Sequence, residues 1–256
     1  MTEEDKASNK QRKAEREQLR EELLEAQFEL NRQQKGPVLL LISGNDFAGK
    51  AEVIHSFYEW LDNRYLHTRA FSLPQGIERR MPRLWRYWRT LPPSGELGFY
   101  LGSWYHQPLM QLSRGKLSNN RFQSQMQDIA RFEQLLCDGG AAVLKIWLHL
   151  TDDQQDKHQP PAPALLRQTV AMREWGDFSA ADYEKVRAGA RLMSELTSTE
   201  RAPWVRVSAS DPHQRDMEIG QLVLQTIQHH LQSKAAEPVP ATWRSAVDNR
   251  LQQLDY

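Results

Sequence analysis

The stretch Pro37–Tyr58, PVLLLISGNDFAGKAEVIHSFY, narrows the folds open to this chain more than any other segment. Its unbroken apolar run, Val38 to Ile42, reads as a strand buried on both faces. Gly44-Asn45-Asp46-Phe47-Ala48-Gly49-Lys50 follows, a GxxxxGK loop. Apolar residues then recur at Val53, Ile54, Phe57, Tyr58 and Leu61, a helical spacing. Strand, glycine loop and helix in this order cradle phosphate. Backbone N–H groups at the helix start face the anion, glycines let the chain approach it, and a lysine adds positive charge. The pattern assigns Gly44, Gly49 and Lys50 to phosphate binding. The plainer alternative is a strand-to-helix turn that carries two glycines and a lysine by chance.

The rest of the chain repeats the alternation of strand and helix. Residues 1–14 are polar and read as a disordered tail, followed by an amphipathic helix from about Glu15 to Gln34 that packs on the domain edge. Further strands are expected at residues 67–73, at Glu96–Leu101, at Ala141–Leu150 and at Trp204–Ser208. Helical spacing returns at Arg121–Cys137, Tyr183–Leu196 and Met217–Leu231. The proline run at residues 159–163 cannot be helical and reads as part of a lid at about residues 151–178. Residues 234–256 read as a linker or tail, leaving one domain at 15–233. Such alternation predicts a three-layer α/β/α fold around a parallel sheet.

Lysine plus arginine balances aspartate plus glutamate at 33 each, so net charge selects no partner. The arginines are nonetheless clustered. Arg79, Arg80, Arg83, Arg86 and Arg89 interleave with Trp85, Tyr87 and Trp88, and five guanidiniums so close repel one another unless an anion lies among them. Arginine forks bind phosphate bidentately and tryptophan faces stack on bases, so polyanion, nucleotide and nucleic acid are all open. The bland reading makes the aromatics core and the arginines a solvated face. The single cysteine, Cys137, excludes an internal disulfide and reads as packing in a reducing compartment. No apolar run reaches membrane length, and a cytoplasmic protein is expected. His149 reads as a hydrogen-bonded strand histidine, and His229 and His230 as solvated. Ser103 lacks the elbow of a hydrolase nucleophile, and no cluster has zinc spacing.

GNDFAGK, LWRYWRTLPPSGELGFYLGSWY, KIWLHLT and TSTERAPW, in this order, resemble the family-2 polyphosphate kinases, in particular the N-terminal half of the tandem polyphosphate:AMP phosphotransferases. The resemblance runs from about Leu19 to Leu231. It implies a phosphate-loop kinase-like fold with a helical lid, phosphoryl transfer between polyphosphate and nucleotides, and magnesium as cofactor. It also implies polyphosphate and nucleotide as partners, with room for a homo-oligomer or a second catalytic domain. On the family's GxDxxGKG pattern, Asp46 becomes the candidate magnesium ligand and Lys50 the candidate catalytic cation, with Ala51 standing where the last glycine falls. Arg83, Arg86 and Arg89 become candidates for polyphosphate or nucleotide binding.

Two departures bear on activity. The family's second catalytic stretch reads FDRSWY, and here Tyr100-Leu101-Gly102-Ser103-Trp104-Tyr105 replaces its aspartate with Leu101 and its arginine with Gly102. Leucine cannot ligate a hard cation, and glycine cannot bring a guanidinium to the transition-state charge. The lid is also thinned of basic residues, with Arg167 and Arg173 as its nearest candidates. These departures predict a degenerate site that keeps phosphate binding, unless Glu96 or Asp211 substitutes. The alternative is an active polyphosphate:AMP/ADP phosphotransferase, and the third reading is an arginine/tryptophan-rich nucleic-acid binder.

Overall fold

The computed structural model describes residues 3–45, 47–151 and 180–233. Five strands form one fully parallel sheet: β1 (Val38–Gly44), β2 (Leu66–Ala70), β3 (Leu97–Leu101), β4 (Ala142–His149) and β5 (Trp204–Ser208). Their order across the sheet is β2-β3-β1-β4-β5. The loop-bearing strand is therefore central. All five expected strands are present, and β2 stops at Ala70, three residues short of the expected end.

The pleat explains why β1 is apolar throughout. Val38, Leu40 and Ile42 face one layer, packed with Leu19, Leu23 and Leu30 of α1 (Glu3–Gln33), Val53 and Phe57 of α2 (Lys50–Trp60), and Ile219 and Val223 of α7 (Pro212–Gln232). Leu39 and Leu41 face the other layer, built on Tyr87 of α3 (Trp85–Trp88), Leu109 of α4 (His106–Ser113), Phe122 and Ile129 of α5 (Asn119–Asp138), and Met193 of α6 (Ala180–Thr197). Three layers result, as expected.

Several expectations are corrected. Helix α1 starts at Glu3 rather than near Glu15, so most of the expected tail is helical. That run is rich in Glu, Lys, Ala and Arg, all strong helix formers that need no apolar stripe. Helix α4 was not anticipated, and α7 begins at Pro212 instead of Met217 because Asp211 caps it through the N–H groups of His213 and Gln214. His230 is part-buried rather than fully solvated. Its Nε2 lies 2.8 Å from the Gly36 carbonyl oxygen, which ties the end of α7 to the entry of β1. Cys137 is buried, and burial pushes its thiol up to about 11, as befits a packing residue. Among the described residues, no helix is long and apolar enough to cross a membrane. The expected lid at about residues 151–178 falls, but for Thr151, outside the described residues, as do the tail beyond Ser233 and Asp46.

Candidate functional site

The chain leaves β1 to build β2 beyond β3, and later returns past β1 to build β4. Helix α2, which follows β1, packs on one face, while α4, which follows β3, packs on the other. A crevice must open between the C-terminal ends of β1 and β3, the usual ligand position in an open parallel sheet. A cavity of ≈ 500 Å³ lies there, and it brings together Gly44, Gly49, Lys50, Leu101 and Gly102.

The loop is tied to the sheet at both shoulders. Asn45 N–H donates to the Leu148 carbonyl at 3.0 Å, and the Asn45 side-chain oxygen accepts from Leu150 N–H at 3.4 Å. Gly49 is the N-cap of α2 with φ +78°, a left-handed conformation that disfavours side chains. Lys50 opens the helix, and its ammonium donates to the carbonyls of Gly44 (3.0 Å) and Asn45 (2.5 Å). The three residues expected to bind phosphate are thus gathered in one cradle, with the lysine folded over the loop that carries it.

The segment after β3 divides into two parts. Leu101 and Gly102 line the cavity, and Gly102 holds φ +61° with the Phe71 carbonyl oxygen only 2.5 Å from where a β-carbon would stand. Phe71 is fixed there because its N–H donates to Leu101 at 2.9 Å, prolonging the β2–β3 ladder by one residue. Ser103 is buried and its hydroxyl oxygen has no hydrogen-bond partner among the described residues, none of which therefore activates it as a nucleophile. Trp104 turns away into the core, and Tyr105, which also lines the cavity, is buried beside it. The indole N–H (2.9 Å) and the phenol (2.7 Å) both donate to Oε1 of Glu133 on α5. The other oxygen of Glu133 accepts from Lys145 of β4 at 2.7 Å, and the ammonium also donates to the Thr197 carbonyl at the end of α6 (2.8 Å). Lys145 is 0% exposed and Glu133 1%. Burial pulls the lysine below its ordinary value, an effect its carboxylate partner opposes. Because each group of the pair finds partners, the pair can persist in a dry core.

The arginine cluster divides, with Arg79, Arg80 and Arg89 exposed and Arg83 and Arg86 part-buried. Arg86 donates to the Ser72 carbonyl at 2.8 Å, lies 3.4 Å from Glu78, and stacks over Phe71 (5.2 Å) and Tyr87 (5.7 Å). Arg83 donates to the Gln125 carbonyl at 3.3 Å and lies 3.7 Å from Asp128, with burial lowering its pKa. Arg89 lies over the Trp85 ring at 4.6 Å. None of the three is among the described residues that line the cavity. Their expected repulsion is relieved by carbonyls, carboxylates and rings of the protein itself. Among the cavity residues that went unnoticed in the sequence are three ionisable ones, Glu52 of α2, His106 of α4 and Arg187 of α6. Arg187 shares the helical spacing of Tyr183 and Val186, which was the available signal.

Neither proposed substitute for the missing carboxylate enters the cavity. Glu96 precedes β3 at the opposite edge of the sheet, where it pairs with His67. Asp211 is occupied as the α7 cap and lies 3.7 Å from Arg12.

A family model for polyphosphate kinase 2 matches residues 6–235. The chain belongs to the polyphosphate kinase 2 family. Over 244 residues it is 34% identical to the polyphosphate:AMP phosphotransferase of Pseudomonas aeruginosa, covering 93% of this chain and 49% of that one. It is 27% identical over 209 residues to NDP-polyphosphate phosphotransferase 1 of Ruegeria pomeroyi, covering 79% and 64%. The chain therefore spans about half the length of the polyphosphate:AMP phosphotransferase it matches. Among solved structures, a candidate polyphosphate kinase 2 from Pseudomonas aeruginosa PA01 superposes with a TM-score of 0.78 at 32% identity, over 88% of this chain and 45% of that one. Polyphosphate kinase 2 from Arthrobacter aurescens TC1 shares the fold, with a TM-score of 0.74 at 24% identity.

Magnesium, which polyphosphate kinase 2 membership implies, needs near-octahedral oxygen ligands, commonly one or two carboxylates beside substrate phosphates. Glu52 is the one carboxylate among the described cavity residues, Leu101 contributes only methyl groups, and no described group of three acidic, histidine or cysteine side chains could hold a metal. The described donors do not fit a resident magnesium site in this polyphosphate kinase 2 chain.

Proposed function

We propose that this chain is a polyphosphate kinase 2-family domain whose loop binds the phosphates of polyphosphate or a nucleotide and whose transfer chemistry is degenerate. The supporting observation is the contrast across one cavity. Gly44, Gly49 and Lys50 form an intact cradle, while Leu101 and Gly102 offer neither carboxylate nor guanidinium. Phosphoryl transfer depends on positioning and on electrostatic stabilisation, and a contributed arginine is worth about 10³-fold or more. Binding needs only the cradle.

In this reading Lys50 and the loop N–H groups hold the anion, with Asp46 as the remaining candidate metal ligand. Any magnesium arrives with the substrate phosphates rather than residing in the site. Arg86 acts on the ligand indirectly, by bracing Phe71 and Ser72, which line the cavity. Arg83 braces α5, and Arg89 remains the candidate of the three for touching polyphosphate. The expected setting is cytoplasmic, with a second catalytic domain or another subunit supplying turnover.

Calorimetric titration with polyphosphate, run beside a coupled assay of transfer to AMP and ADP with magnesium, tests the reading. Salt-sensitive binding without turnover, weakened by Lys50→Ala, supports it. A second reading, an active polyphosphate:AMP/ADP phosphotransferase, is favoured by the 34% identity to a relative of that name. Robust turnover that disappears in Lys50→Ala establishes it instead. A chain that binds no polyphosphate overturns the first.

A further inference from the structure

A buried guanidinium sits directly beneath the second glycine of the loop. Arg215, in the first turn of α7, is 4% exposed. Its Nη1 donates to the Ala48 carbonyl at 3.3 Å, and a β-carbon on Gly49 would fall 1.8 Å from the same nitrogen. Nε and Nη2 both reach Oδ1 of Asp216 at 2.7 Å. The other carboxylate oxygen of Asp216 accepts from the Ser56 hydroxyl of α2 at 2.6 Å. Loop, Arg215, Asp216 and Ser56 thus close a ring that joins the first two turns of α2 to the first turns of α7.

We propose that Arg215 is a positioning residue for phosphate binding, acting through the Ala48–Gly49 peptide. This rests on the reading of the loop given under Proposed function. A trans peptide points its carbonyl and its N–H in opposite directions. Drawing the Ala48 carbonyl inward to the guanidinium turns the Gly49 N–H outward, away from the core. The helix-start N–H groups of Lys50 and Ala51 follow, and the set makes a concavity of donors suited to an anion. Gly49 is required here for two reasons, its left-handed φ and the guanidinium that fills the space of a side chain.

The pair does not act as a long-range charge. Asp216 neutralises Arg215 at hydrogen-bond distance, so the far field of the two largely cancels. Geometry and field can therefore be separated by salt, because the salt dependence of anion binding counts the cations engaged. A planar fork is also required, since one ammonium cannot meet Ala48 and Asp216 with the same spread of donors.

The test is titration of the full chain with inorganic tripolyphosphate at several salt concentrations, comparing wild type, Arg215→Gln, Arg215→Lys and Lys50→Ala. Arg215→Gln is expected to weaken binding about tenfold with the wild-type salt slope, and Arg215→Lys about threefold. Lys50→Ala is expected to weaken binding and flatten the slope by about one charge. If Arg215→Gln does not fold, Arg215→Lys alone carries the comparison. Wild-type affinity in the folded Arg215 variants, with Lys50→Ala impaired, overturns the proposal and leaves the loop reading intact. Wild-type affinity in Lys50→Ala, or no binding by wild type, overturns the loop reading and this proposal with it.

Discussion

A β-carbon on Gly102 would stand 2.5 Å from the carbonyl oxygen of Phe71. Phe71, just past the end of β2, thus fills the space a side chain at position 102 would take, and the left-handed backbone disfavours any side chain there. Gly102→Ala is expected to cost about 1–3 kcal/mol in urea unfolding. Restoring the family pair with Leu101→Asp and Gly102→Arg is expected to leave transfer to AMP or ADP at the wild-type level. A gain in turnover in that double variant would show that Phe71 yields easily, and would sink this account of the site.

The Glu133–Lys145 pair predicts a stability pattern distinct from that of a surface ion pair. Glu133→Ala leaves an unpaired buried ammonium and strands the donors of Trp104 and Tyr105, so a loss of about 3–5 kcal/mol is expected. Replacing both members, Glu133→Leu with Lys145→Met, should cost less than Glu133→Ala alone. A double-mutant cycle on denaturant midpoints checks this, and simple additivity would contradict it.

His230 makes stability depend on pH. Burial, more than the neighbouring Lys35 and His229, lowers its folded-state value below the ordinary 6.5, against the pull of the Gly36 carbonyl. As pH falls through 6.5 the unfolded chain takes up this proton before the folded one does. The contribution is therefore present above 6.5 and lost on acidification, at no more than about 1.4 kcal/mol per pH unit. Melting temperature should drop between pH 7.5 and 5.5, and by less in His230→Asn.

Asp211 separates capping from catalysis. Backbone N–H donation from Gln214, more than from His213, holds its carboxyl below the ordinary range. Its contribution is thus complete at neutral pH and disappears only in acid below about pH 4. Asp211→Ala should cost about 1 kcal/mol at pH 7 while leaving any residual transfer rate unchanged. A collapse of turnover without loss of stability would restore it as the substitute carboxylate.

How far the sequence reached depends on how local each signal was. The five strands were legible because their apolar runs are bounded by breakers such as Pro37 and Gly140. The loop was legible because glycine spacing and the following helix coincide in a single short segment. Helix α4 was hidden by Pro108, which is harmless in a first turn yet reads as a breaker. Lys145 lies in the most apolar strand, and nothing nearby announces that its partner is Glu133 on the preceding helix. Arg215 follows Gly49 by most of the chain, and only the fold brings the two together. The surroundings of Arg83 and Arg86 were hidden for a related reason. Arg86 meets the Ser72 carbonyl and Glu78, and Arg83 meets the Gln125 carbonyl, pairings that the spacing of the arginines does not reveal.

The bond between Trp104 and Glu133 has one more consequence. Trp104 and Tyr105 are masonry, anchored to a buried acid whatever residues stand immediately before them. The wall behind Leu101 and Gly102 therefore stands without any help from their side chains. In this chain Trp104 and Tyr105 certify the building and say nothing about whether anyone works inside.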